Sequence, residues 1–228
     1  MLAVQLILTA TAGVLTGLAL ALIPINTLRR RLREVTHQAR HDELTGLPNR
    51  RHLMTHLRQA VSAGEQVAVA VLDLDGFKTI NDRYGHGAGD DILTETARRL
   101  NTTAGVRLAA RLAGDEFALV IDQSSVEQVQ AVVVDAANRV LAKPVFLGPR
   151  NGWISVPGMS AGVTAADPAA THRLLLHRAD LAMFTAKTQG CGLAWHDAAA
   201  ETGAGAVPER PDVRQRDRRT SSAAPPAR

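Results

Sequence analysis

Four carboxylates follow apolar segments of the chain, in two groups roughly forty residues apart. Asp73 and Asp75 come at the end of the run 67–72, in which every residue is apolar. Such a run is typical of a strand that is buried on both faces, so a carboxylate at its end does not serve to fill the core. Asp115 and Glu116 follow Gly114 between two further apolar runs, 109–112 and 117–121.

The second group predicts a β-hairpin with Gly114 and Asp115 in its turn. If this hairpin pairs beside the first strand, Asp73, Asp115 and Glu116 converge, and their like charges repel unless a divalent cation lies among them. Ligands that are all oxygen favour Mg²⁺ or Mn²⁺ over zinc. The alternative is that Gly114 and Asp115 form an ordinary turn and that Asp73 only terminates a strand.

The segment after Asp75 carries Lys78, Asn81, His86 and Asp90, with glycines at positions 85, 87 and 89. With these residues in place, the chain resembles the GGDEF family, the diguanylate cyclases that condense two GTP into cyclic di-GMP. The resemblance covers about residues 41–196. Five motifs carry it in the family's order: 42–50 (DELTGLPNR), 73–82 (DLDGFKTIND), 85–90 (GHGAGD), 111–117 (RLAGDEF) and 178–183 (RADLAM).

The resemblance implies the metal ligands and the catalytic residues. Asp73 and Asp115 correspond to carboxylate ligands of Mg²⁺ or Mn²⁺, and Leu74 to a ligand through its backbone carbonyl. Asp115 is also the family's proposed proton acceptor, and Glu116 adds a ligand or assists at a second metal. Lys78 would neutralise charge that builds on the phosphates in the transition state. The alternative for Lys78 is a solvated surface lysine.

The resemblance also implies the substrate-binding residues. Asn81 and Asp90 would recognise guanine, because a carboxylate accepts hydrogen bonds from N1–H and the 2-amino group together, and adenine lacks both donors. His86 either contacts the nucleotide or serves as a structural cap. Lys187 matches the family's phosphate-binding lysine near the end of the domain.

The resemblance predicts an α/β (α+β sandwich) fold, with a central mixed sheet like that of nucleotidyl cyclases and polymerase palm domains. Hydrophobic patterning predicts helices over 50–61, 89–100, 126–141 and 172–187, a strand over 67–73, and paired strand over 153–163. Asp42 is expected to cap a helix.

Three positions depart from the family pattern. Ala113 replaces the first glycine of the signature, which would strain the backbone if that position needs positive φ. The family's product-inhibition motif, Arg-x-x-Asp, falls on 104–107, where neither Ala104 nor Arg107 fits, so inhibition at that site is expected to be absent or weak. Cys191 stands where the family has an arginine that helps to hold phosphate.

The first 28 residues contain no charged side chain, and residues 2–23 are almost entirely apolar. This length is enough to cross a bilayer as a helix. No positive charge precedes the run, which favours a membrane anchor over a cleaved signal peptide. The arginines at 29–33 then predict a cytoplasmic C-terminal part. The chain is expected at the inner or plasma membrane, in a single pass, and Gly13 and Gly17 have the spacing of a helix-packing motif.

The predicted organisation is a transmembrane anchor (1–28), a basic juxtamembrane helix or linker (29–40), a GGDEF domain (41–197) and a disordered tail (198–228). The single cysteine fits a reducing compartment. The net charge of +4 comes with arginines clustered at 29–33 and 210–219. Aromatic residues make up only 3% of the chain, so the charge does not indicate a nucleic-acid-binding protein.

The leading interpretation is a membrane-anchored diguanylate cyclase. It would act as a homodimer, because each half-site holds a single GTP. The competing interpretation is a catalytically inactive GGDEF module that binds GTP or a protein partner, which Ala113 and Cys191 favour. A purely structural membrane protein would leave the clustered acids unexplained.

Overall fold

The computed structural model describes residues 1–6, 10–11, 13, 39–123, 125–167 and 170–196. Its helices are α1 (Arg50–Ser62), α2 (Phe77–Tyr84), α3 (His86–Asn101), α4 (Val126–Leu141), α5 (Gly148–Asn151) and α6 (His172–Gln189). Its strands are β1 (Val67–Asp75), β2 (Val106–Ala113), β3 (Glu116–Asp122), β4 (Val145–Phe146), β5 (Trp153–Ile154), β6 (Gly158–Ala165) and β7 (Leu193–Trp195).

Strand β1 occupies the middle of a five-stranded sheet with the order β2-β3-β1-β6-β7. It pairs antiparallel with β3 on one side and with β6 on the other, and β7 adds to β6 in parallel. Strands β4 and β5 form a separate two-stranded hairpin. The α+β fold with a central mixed sheet is therefore confirmed.

Successive residues of β1 face opposite sides of the sheet, and helices cover both sides. Val67, Val69 and Val71 belong to a core with residues of α1 and α6. Ala68, Ala70 and Leu72 belong to a second core with residues of α3 and α4. Every residue from 67 to 72 is 0% exposed, which explains why the run is apolar on both faces.

Helix α6 lies directly on β6 at Gly162. A Cβ atom at Gly162 would come within 1.8 Å of the backbone nitrogen of Met183. Only glycine permits this approach, and the close packing fixes the position of the last turns of α6 over the end of β1.

Most of the helices expected from the sequence are confirmed. The prediction for 126–141 coincides with α4, and those for 50–61 and 172–187 match α1 and α6 to within two residues. Their N-termini are capped by Asn49, Ser125 and Thr171, whose side chains accept hydrogen bonds from backbone N–H groups in the first turn.

Several local predictions were wrong. Helix α3 begins at His86 rather than at residue 89, directly after Gly85 with φ 87°, and the short helix α2 was not predicted. The expected strand over 153–163 is two strands, because β5 and β6 are separated by residues 155–157, which include Pro157. Asp42 caps a turn rather than a helix, since its carboxylate accepts from the backbone and hydroxyl of Thr45.

Three sequence predictions concern segments that lie largely outside the described residues: the anchor (1–28), the juxtamembrane helix (29–40) and the tail (198–228). Residues 2–6, 10–11 and 13 are helical. In the part of the chain that the structure describes, no helix combines the length and the apolar character needed to cross a membrane.

Candidate active site

The acidic end of β1 lies at one edge of the sheet, on the side covered by α6. Asp73 lies on the same face of β1 as Val71, and only 2% of its surface is exposed. Its strand neighbours are Glu116 on β3 and Ser160 on β6. The Ser160 hydroxyl donates a hydrogen bond of 2.9 Å to Asp75. The sheet therefore brings acids from β1 and β3 to a common edge, as the sequence predicted.

The predicted hairpin is confirmed. Strands β2 and β3 pair up to Ala113 and Glu116, with Gly114 and Asp115 in the turn. The backbone N–H of Leu74 donates to the carbonyl oxygen of Asp115 at 3.4 Å. This bond ties the turn to β1 and holds Asp115 beside Asp73.

The pKa of Asp115 is raised to about 6. Burial is the largest cause, and the negative charges of Asp73 and then Glu116 add to it. A backbone hydrogen bond and the positive charge of Lys187 act in the opposite direction, without cancelling the rise. Burial and the neighbouring carboxylates thus both disfavour the charged form of Asp115.

Lys187 reaches this edge from the end of α6 and donates a hydrogen bond to Asp73 Oδ1. The Lys187 side chain is 40% exposed, whereas that of Asp73 is only 2% exposed. Sequence reasoning placed Lys187 at the substrate phosphates and did not foresee its pairing with Asp73. The two residues are 114 positions apart, so no local pattern could reveal the contact.

The residues at the edge fit a magnesium ion that substrate helps to bind. Among the described residues, no group of three or more His, Cys, Asp or Glu side chains is arranged to hold a metal ion. Mg²⁺ typically takes only one or two carboxylates from the protein and completes its shell with substrate phosphates and water. Asp73 and Asp115 would supply the carboxylates, and Leu74 a backbone carbonyl.

The predicted guanine-binding residues lie on α2 and α3, which follow β1. Asn81 packs against Gly89, where a Cβ atom would come within 2.0 Å of Asn81 Oδ1. That oxygen is buried and has no hydrogen-bond partner among the described residues. A buried acceptor without a donor is costly unless a ligand supplies one.

His86 and Asp90 are four residues apart on α3 and therefore lie on the same face of the helix, where both are exposed. Lys78 is exposed in the first turn of α2, directly after the acidic end of β1. The predicted base-binding residues and Lys78 thus lie on the two helices that directly follow the acidic end of β1.

Ala113 is the last residue of β2, and the left-handed backbone falls on the next residue, Gly114, with φ 52°. The strain that a positive φ would cause at Ala113 therefore does not arise. Cys191 is exposed just beyond the end of α6. Arg107, at the last position of the family's inhibition motif, pairs with Glu65 and Asp122.

Sequence reasoning gave no role to Arg111, which connects the turn at residues 42–49 with the acidic hairpin. Its side chain donates to the Asp42 carboxylate at 2.8 Å and to the carbonyl oxygen of Gly114 at 2.9 Å. Arg111 and Asp42 both belong to the motifs that carry the resemblance, which was the only signal in the sequence that pointed to them.

Comparison with known proteins agrees with this geometry. The profile of the family described as "Diguanylate cyclase, GGDEF domain" matches residues 39–192. Diguanylate cyclase TpbB of Pseudomonas aeruginosa strain PAO1 is 38% identical over 164 residues, which are 69% of this chain and 37% of the relative. Diguanylate cyclase DgcP of Escherichia coli K12 is 34% identical over 181 residues, covering 75% of this chain and 52% of the relative.

Two solved structures show the same fold. The GGDEF domain of TpbB superposes with a TM-score of 0.64 at 34% identity, covering 71% of this chain and 97% of that one. The coiled coil and GGDEF domain of DgcB from Caulobacter crescentus, in complex with c-di-GMP, gives a TM-score of 0.69 at 26% identity and covers 79% and 97%.

The chain spans only 22% to 37% of the length of the first curated relatives that it matches. The family profile, at residues 39–192, covers more than half of this chain. The matched region contains β1, the acidic hairpin and the start of α3, and it ends just after α6. The chain belongs to the GGDEF family of diguanylate cyclase domains.

Proposed function

We propose that this chain is a membrane-anchored diguanylate cyclase that condenses two GTP into cyclic di-GMP and two pyrophosphates. The observation that carries the proposal is the placement of Asp115 beside Asp73, held by the hydrogen bond from Leu74 N–H to the carbonyl oxygen of Asp115. Two adjacent carboxylates with like charges repel each other and are stabilised by a bound cation. The residues that we propose to bind the nucleotide lie on the helices that follow β1.

Each residue of the predicted site has a task in the proposed reaction. Asp115 accepts the proton of the attacking ribose 3′-hydroxyl, and Asn81 and Asp90 recognise guanine. Lys78 and Lys187 stabilise the charge on the phosphates, which is the main requirement in phosphoryl transfer. Bound Mg²⁺ would supply Lewis-acid stabilisation of the phosphate and lower the pKa of the attacking hydroxyl.

A homodimer is part of the proposal, because cyclic di-GMP requires two GTP molecules and each domain has one set of guanine-binding residues. Two domains that face each other would each present one GTP to the other. The reaction would then depend on protein concentration unless the N-terminal segment already holds two chains together.

A second candidate function is a GTP-binding module without turnover. It is favoured by Cys191, which stands where the family has an arginine for phosphate, and by the pairing of Lys187 with Asp73. Such a module would bind GTP through the same residues on α2 and α3.

Incubation of the full chain with GTP and Mg²⁺, followed by chromatography of the nucleotides, tests both candidates. An active cyclase forms cyclic di-GMP, loses this activity in Asp115→Asn, and keeps it in Asp122→Asn, a change at the opposite end of β3. Saturable GTP binding with no product at any protein concentration would instead establish the silent module.

The membrane anchor is tested separately. We expect the full chain to remain in membranes that are washed with alkaline carbonate, because a spanning helix is held by its apolar surface rather than by charge. Release of the chain into the wash would show that residues 1–28 do not span the bilayer.

A further inference from the structure

The β4–β5 hairpin exposes two large aromatic side chains. The residues of a half-buried hairpin alternate between core and solvent, and here Val145, Leu147 and Val156 are buried. The solvent-facing positions between them hold Phe146 and Trp153, which are 50% and 68% exposed. Polar side chains normally occupy such positions.

The two rings pack against each other across the strands. Their centroids lie 5.1 Å apart, and the ring planes are inclined by 47°. Cross-strand stacking explains why the rings are adjacent. It does not explain why both are outside, since the chain has only seven Phe, Trp and Tyr residues in all and two of them lie here on the surface.

The charged residues of the chain segment that contains the aromatic pair are all basic. Between Asp135 and Asp167 there is no aspartate or glutamate, whereas Arg139, Lys143 and Arg150 are present. Lys143, just before β4, and Arg150, in the connection between β4 and β5, are both exposed. Exposed Trp and Phe flanked by Lys or Arg have the composition of a surface that inserts into the headgroup region of an anionic membrane.

A cleft of about 670 Å³ separates the hairpin from α3. The α3 wall carries Asp91 and Glu95, and the Glu95 carboxylate is paired with Arg98 and Arg99. The aromatic pair lies on the opposite wall together with Lys143.

We propose that the β4–β5 hairpin is a membrane-docking surface, in which Phe146 and Trp153 enter the headgroup layer of an anionic bilayer and Lys143 and Arg150 contact lipid phosphates. This surface is separate from the metal-binding edge, and it does not depend on a spanning N-terminal helix. Docking would hold α3, which carries Asp90, at a defined orientation to the bilayer.

Tryptophan fluorescence tests the proposal at a single residue. The chain has two tryptophans, so Trp195→Phe leaves Trp153 as the only reporter. With the full chain and vesicles of phosphatidylcholine and phosphatidylglycerol, we expect Trp153 emission to shift to shorter wavelength. We also expect quenching by lipids brominated near the headgroup, and more weakly by lipids brominated at the chain end, because interfacial insertion reaches only about 5–10 Å.

Matched variants separate docking from other causes. Arg150→Glu should reduce the shift and the quenching, whereas Val126→Ser with Val134→Ser, which removes exposed apolar side chains from α4, should leave both unchanged. Trp153 emission that is insensitive to brominated lipid would overturn the proposal even if the chain is anchored elsewhere. A shift that follows protein concentration without lipid would assign the aromatic pair to self-association instead.

Discussion

Arg111 forms an ion pair with Asp42 and at the same time holds the turn that carries Asp115. Its Nη1 atom lies 2.8 Å from Asp42 Oδ1, and its Nε donates to the carbonyl oxygen of Gly114 at 2.9 Å. The carboxylate of Asp42 is further fixed by Thr45. Burial acts to raise the pKa of Asp42, but hydrogen bonds from Arg111 and Thr45 outweigh it and lower the pKa. The turn at residues 42–49 is thereby connected to the acidic hairpin.

Replacing Arg111 with alanine should destabilise the domain by about 2–3 kcal/mol, because Asp42 loses a charged partner and the Gly114 carbonyl loses a donor in a mostly buried pair. Urea unfolding measures the change. Arg139→Ala is the matched control, since its pair with Asp135 is exposed on both sides and should contribute less than about 1 kcal/mol. Equal effects of the two changes would contradict the structural role of Arg111.

Asp115→Asn should stabilise the metal-free protein near neutral pH. The pKa of Asp115 is raised from 3.8 to about 6 in the fold. Ionised Asp115 therefore lowers the free energy of unfolding, and this loss grows as pH rises through this range. The gain should be about 1–3 kcal/mol at neutral pH and vanish below about pH 4. Thermal unfolding in a chelator measures it. Added Mg²⁺ should raise the melting temperature of the parent more than that of the variant.

Glu95→Gln should reduce the stability of the domain at neutral pH but not in acid. Hydrogen bonds from Arg98 are the main cause that lowers the pKa of Glu95 to about 2, against burial, and Arg99 adds to it. The stabilisation is present above about pH 4.5 and is lost as pH falls toward the folded pKa. Solvent screens the pair with Arg98, which is largely exposed, so Glu95→Gln should cost no more than about 1 kcal/mol. A constant difference between parent and variant across this range would contradict the ion pair.

Asp90→Asn should weaken GTP binding by about 10- to 100-fold, because a charged acceptor for guanine is replaced by a group that also presents donors. Discrimination against ATP should fall with it. Competition binding with both nucleotides measures the two effects. Asp91→Asn is the control on the next residue of α3. A loss of GTP affinity in Asp91→Asn but not in Asp90→Asn would place the guanine contact elsewhere.

Cys191→Arg should lower the KM for GTP by about 10-fold, because it restores a bidentate phosphate donor where the family has one. Cys191 is exposed just after the end of α6, so the longer side chain has room. Cys191→Ser serves as the control for loss of the thiol. An unchanged KM in Cys191→Arg would show that the phosphates lie out of reach of this position.

The pattern of residues alone was sufficient for β1, the acidic hairpin and α4. These elements depend on local periodicity and on a glycine turn, which act within a few residues. The convergence of Asp73 with Asp115 was predicted only on the condition that the hairpin pairs beside the first strand, and the pairing of β3 with β1 meets this condition. The short helix α2 was missed because its eight residues include only one buried side chain, Ile80, and so show little helical periodicity.

The sequence by itself thus determined that acids lie at the end of β1 and in the hairpin turn, and which family the motifs resemble. Only the tertiary structure decided that Lys187 pairs with Asp73, that Ala113 lies in a strand rather than in the left-handed turn, and that Phe146 and Trp153 face outward. These contacts join segments far apart in the chain or depend on which face of a strand is covered. Contacts between distant segments and the covered face of a strand both depend on packing of the whole domain, and no local pattern of residues encodes either.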